Sequence, residues 1–107
     1  MDTIMTKNFT AKDKFNCPGA DALKNHKDEI ITVTDVMVGE FPDNDGVLTP
    51  NAYLKDENGR IYCSISSAVI RSSMALIEIL EETDKVDVVA RSKQSQKDRE
   101  FLILELA

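Results

Sequence analysis

The groups with most chemistry to offer lie near the C-terminal end. Arg91, Lys93, Lys97 and Arg99 place four cations within nine residues, against one carboxylate, Asp98. Cations gathered in one short segment create a local field that a polyanion feels, whatever the average charge of the protein. Phe101 follows directly, and Tyr53 and Tyr62 accompany a second pair of cations, Lys55 and Arg60. Rings beside cations suit unpaired nucleic-acid bases. The ring stacks on the base, the cation neutralises the phosphate, and each stack is worth roughly 1–3 kcal/mol by removal. These nine residues form the candidate nucleic-acid-binding set. The competing account is a solvated charged loop, with ordinary cross-strand pairs on an exposed sheet face.

The setting of that basic segment is acidic. The 107-residue chain carries a net charge of −6, and residues 91–99 contribute +4 and −1, or +3, so the remainder sums to −9. Such a body argues against a generally basic nucleic-acid coat. It also implies that binding by one face is weakened by the body's own repulsion of phosphate and depends steeply on salt.

At this length, with 42% hydrophobic and 30% charged residues, a single domain with its own core is expected. No apolar run approaches the roughly 18 residues of a membrane span. The run Met1–Lys7 lacks the apolar core of a signal peptide, so a cytoplasmic location is expected. Cys17 and Cys63 make no Cys-x-x-Cys pair and read as reduced, small hydrophobes.

No Gly-rich phosphate loop, nucleophile elbow, metal-ligand spacing or paired-carboxylate motif is present, so neither an enzyme nor a bound cofactor or metal is expected. Asp43-Asn44-Asp45-Gly46 has the first residues of a calcium loop but lacks its later ligands and flanking helices, and reads as an acidic turn. His26 has no nucleophile at a telling spacing. Glu78, Glu81, Glu82 and Asp84 gather near the end of the expected helix. They form a solvated face or, in the alternative reading, the docking patch of an acidic protein-interaction module that binds or inhibits a DNA-handling enzyme.

The elements that must position these groups are mainly strands. Glu29–Phe41 is rich in β-branched residues, but its alternation changes phase: Ile31 and Val33 share one parity, Val36 and Val38 the other. A bulge near Thr34-Asp35 accounts for the slip. Residues 51–56 and 60–65 read as a hairpin closed by a two-residue Asn58-Gly59 turn. That turn pairs Lys55 with Tyr62 and Tyr53 with Ser64 on a polar-aromatic face, and Leu54 with Cys63 on an apolar one. Ser66-Ser67 starts a helix that runs to Glu82, with apolar residues at helical spacing. Residues 85–90 and 101–106 read as the last two strands, joined by the basic loop. Before Glu29, Thr10–Cys17 reads as a short strand and Ala20–His26 as a helical turn. The order is strand, strand, strand, helix, strand, strand. It predicts a mainly β, five-stranded OB-fold-like barrel over residues 28–107, with an N-terminal extension over 1–27. OB folds commonly bind oligonucleotides on strands 2–3 and on the loops after strands 1 and 4.

Several stretches resemble a known family. They are Ala22-Leu23-Lys24-Asn25-His26 leading into Glu29–Val33, Asp56–Tyr62 with Ser64-Ile65-Ser66, and Lys93 through Leu106. Over residues 20–106 the chain resembles the small single-stranded DNA-binding proteins encoded by tailed phages of Gram-positive bacteria. The resemblance implies an OB fold, action in the cytoplasm of an infected host cell, and a role in DNA replication or recombination. The partners it implies are single-stranded DNA, and replication or recombination proteins. A second copy of the chain, pairing through exposed strand edges, is a further expected partner.

Overall fold

The computed structural model describes residues 3–107; Met1 and Asp2, the start of the polar N-terminal run, lie outside the described residues. The strands are β1 (Ile4–Met5), β2 (Asp21–Ala22), β3 (Ile30–Pro42), β4 (Leu48–Asp56), β5 (Ile61–Ser64), β6 (Val86–Gln94) and β7 (Glu100–Leu106). The helices are α1 (Ala11–Asn16) and α2 (Ser67–Glu82). Short 3₁₀ turns occupy Cys17–Gly19 and Leu23–His26. The strands form one sheet in the order β2-β5-β4-β3-β6-β7, with β1 on the side of β3. The result is a mainly β, curled half-barrel of OB-like form, with α2 packed against β3, β4 and β7.

β3 is the axis of the sheet, and its sequence explains how it bends. Its pairing with β4 shifts register between Val33 and Asp35, at the predicted bulge. The extra residue puts Ile31, Val33, Val36 and Val38 into one apolar cluster despite their different parity. The bulge also divides the strand's second edge. Ile30–Val33 pairs with β6, whereas Met37 and Val38 pair with β1. Asp35, buried at the bend, accepts a 2.6 Å hydrogen bond from the Thr6 hydroxyl, and the Thr6 amide donates to the Val36 carbonyl.

The main core lies inside the curl, between the sheet and α2. Val69, Ile70, Leu76 and Ile77 supply the helix's buried stripe against Leu54, Val88, Ala90 and Leu104. The helix begins where its cap dictates, since the Ser66 hydroxyl accepts from the Val69 amide. A second, smaller cluster of Phe9, Cys17, Met37 and Ile61 sits on the other face, under the N-terminal segment.

That segment differs from its sequence reading. Thr10–Cys17, expected as a strand, contains α1. The Thr10 side chain accepts from the Asp13 amide, and the Asp13 carboxylate accepts from the Thr10 amide. This reciprocal capping box favours a helix start over extended backbone.

The central hairpin also differs, with larger consequences. The pairs are Lys55 with Ile61, Leu54 with Tyr62 and Tyr53 with Cys63, one residue away from the expected register. The cause is Asp56. Its carboxylate accepts from the Asn58 and Arg60 amides, while its backbone amide donates to the Arg60 carbonyl. The loop therefore holds three residues, and Gly59 takes a φ of +86°. Slipping by one residue moves Tyr62 to the core face. Gly59→Ala is expected to lose about 1–2 kcal/mol from left-handed strain, read as a lower melting temperature.

Candidate nucleic-acid interface

β6 and β7 carry the basic segment, and β6 runs further than expected, through Gln94. Arg91 and Lys93 are therefore strand residues, and the free loop shrinks to Ser95–Arg99. This turn repeats the Asp56 design. The Ser95 amide donates to the Arg99 carbonyl, the Ser95 hydroxyl accepts from the Lys97 and Arg99 amides, and Asp98 takes a φ of +56°. Lys97 and Arg99 are thus held exposed on an ordered turn.

Register places Lys93 directly opposite Phe101, and both are exposed. Neighbours in such a pair lie roughly 4.5–5.5 Å apart at Cβ, close enough for the cation to meet the phosphate of a base stacked on the ring. Arg91 lies opposite Ile103 on the same face, but two carboxylates hold it: Asp28 at 3.0 Å and Glu105 at 3.2 Å.

The hairpin residues take several separate positions. Lys55 forms a half-buried ion pair with Asp13 at 2.9 Å. Burial alone would raise the Asp13 pKa, but the Thr10 amide and the Lys55 ammonium outweigh it and hold the carboxyl below its ordinary range. Arg60 is exposed and reaches Asp21 at 3.7 Å. Tyr53 is half-buried, edge-on to Phe41 at 5.3 Å, against the smaller cluster. Tyr62 is 5% exposed. Its ring meets His26 edge-on at 5.0 Å and its hydroxyl donates to Asp56 at 3.2 Å. The polar-aromatic face expected to carry both tyrosines is therefore not formed: Tyr53 keeps an outer edge, Lys55 braces α1, and Tyr62 belongs to the core.

Pairing sorts the cations. Lys27, Lys55, Arg60, Lys85 and Arg91 each have a carboxylate within 4 Å. Among the described residues, Lys93, Lys97 and Arg99 have none, and neither do Lys7, Lys12, Lys14, Lys24 and Arg71. The last two were missed in the sequence, where 46 intervening residues give no sign that they face one groove. They line a groove of about 720 Å³ together with Phe101, Ile65, Asn51 and the start of α2. Glu100 also lines it as a carboxylate, its pKa held below the ordinary range by the Ser92 hydroxyl and the Lys27 ammonium, and Lys27 pairs with it at 3.3 Å.

A family model described as phage single-stranded DNA-binding protein matches residues 6–107. The chain belongs to that family. Its coarse function is accordingly the binding of single-stranded DNA. Neither a curated protein nor a solved structure matches the chain. Among the described residues, no group of His, Cys, Asp and Glu is placed to hold a metal ion, and no helix is long and apolar enough to cross a membrane.

Proposed function

We propose that the protein coats or organises unpaired strands during phage DNA replication or recombination in the host cytoplasm, without regard to base sequence and without chemistry of its own. The principal contact is the β6–β7 hairpin. Lys93, Lys97 and Arg99 take phosphates, and Phe101 offers a ring for stacking. Tyr53 adds a second edge, while Arg60 and Arg91 contribute less because carboxylates already hold them. The observation that carries the reading is the free state of the three hairpin cations beside an exposed aromatic, in a family of single-stranded DNA binders. Phosphate neutralisation and stacking are both indifferent to base identity, so the affinity they give is tolerant of sequence.

The test is fluorescence anisotropy of labelled oligo-dT against a matched duplex across a salt series. The expected result is tighter binding to oligo-dT, with affinity falling steeply as salt rises. Equal affinity for the duplex would refute the reading, because bases sealed in a duplex cannot stack on Phe101.

A further inference from the structure

The half-barrel has an open seam. Within the sheet, β5 pairs with β4 and, in parallel, with β2, whereas β7 pairs with β6. The two sides meet at the head of α2, where the Ser66 hydroxyl donates to the Leu102 carbonyl at 2.6 Å. The groove lined by Lys24 and Arg71 lies along this junction. Ile65, 69% exposed, and Phe101, 37% exposed, also line it. Large apolar side chains so exposed within one concave surface signal a binding site more than packing does.

From this we infer that the seam is a second station for the same DNA strand: one nucleotide or more leaves the β6–β7 hairpin at Phe101 and enters the groove. A base lies against Ile65 and Phe101, and Lys24 and Arg71 neutralise the flanking phosphates. The inference rests on the proposed DNA-binding reading and extends it to residues outside the hairpin. Three features select a nucleic-acid strand as the occupant. The groove's two unpaired cations would repel a basic peptide. Its apolar residues, Ile65 and Phe101, share one lining with those cations, so a single surface offers both base and phosphate contacts. Phe101 belongs both to the Lys93 pair and to the groove lining, so the two stations share a residue. The amino end of α2, sixteen residues long, faces the groove through Ser66–Ala68 and adds partial positive charge. The carboxylate on the lining, Glu100, is already engaged by Lys27.

The experiment compares Lys24→Glu with Arg71→Glu, made together, against the wild-type protein in oligo-dT titrations over salt. Each lost phosphate contact on a single strand flattens the log–log salt slope by about 0.7. The double variant is therefore expected to flatten it by about 1.4 and to bind roughly tenfold more weakly at low salt. Ile65→Gln should weaken binding without changing the slope, since it removes base contact and no charge. All three side chains are exposed or lack ion pairs, so melting temperatures should stay near wild type. If the charge-reversed protein melts early, Lys24→Gln with Arg71→Gln replaces it, with the same expected slope. Wild-type affinity and slope in a folded double variant would overturn the seam station while leaving the hairpin reading intact. Failure of the wild-type protein itself to bind oligo-dT would overturn both.

Discussion

Lys97→Glu combined with Arg99→Glu should weaken oligo-dT binding by roughly ten- to a hundredfold at low salt, and flatten the salt slope by about 1.4. The structure gives this pair more weight than Arg91. Both side chains leave an ordered turn, both are exposed, and neither has a carboxylate partner among the described residues. Reversal does more than remove two contacts, because it extends the acidic body into the binding surface. Arg91→Glu should act in the same direction but less, since Asp28 and Glu105 already cancel much of its field. A useful comparison is Asp98→Asn. It keeps a side chain tolerated at positive φ and removes the turn's own repulsion of phosphate, so binding should tighten. Anisotropy over a salt series reads all of these. An unchanged slope in the double variant would place the phosphate contacts elsewhere.

Asp13→Ala should destabilise the fold by roughly 2–4 kcal/mol while sparing the salt dependence of DNA binding. The substitution removes the carboxylate half of the α1 capping box and leaves the Lys55 ammonium half-buried without its partner. For a domain of this size, that corresponds to a fall of roughly 10–20 °C in melting temperature. The pH dependence follows from the depressed pKa of Asp13. A carboxyl held below its ordinary value of 3.8 in the folded state contributes stability above that value. The contribution disappears as pH falls through the folded-state pKa. The gap between wild type and variant should therefore be full at neutral pH and close in strong acid. Lys55→Met should also lower stability and leave the salt slope alone. A flattened slope in Lys55→Met would return that lysine to the DNA contact.

The contrast between Lys55 and Lys97 marks where the sequence was legible. Local patterns were visible: the phase slip of Ile31 and Val33 against Val36 and Val38 marked the β3 bulge, and Ser66 with its apolar periodicity marked α2. Features set by side chains reaching across the chain were not. Asp13 and Lys55 are 42 positions apart, so nothing near Lys55 revealed that its charge was taken. Asp56 moved the hairpin register by holding two amides, which carried Tyr62 from the expected outer face into the core. Thr10 and Asp13 did spell a helix start, but the short alternation around them resembled a strand. The basic segment was evident as composition. Its division into strand and turn, and its continuation to Lys24 and Arg71, needed three dimensions.

The bend in β3 has a consequence for how firmly each part of the molecule is held. Because the bulge splits one edge between β1 and β6 while the other edge keeps β4, this strand is gripped along its whole length and flanked by two apolar clusters. β7 sits at the end of the sheet with one strand neighbour; Leu102 and Leu104 hold its inner face against the core and α2, while its outer face, with Phe101, stays open. Local opening is therefore more costly at Val36–Val38 than along the outer edge that carries Phe101. On the proposed reading, the protein meets its flexible polymer on an edge held less firmly than β3, and adjusts there to successive nucleotides without disturbing the centre.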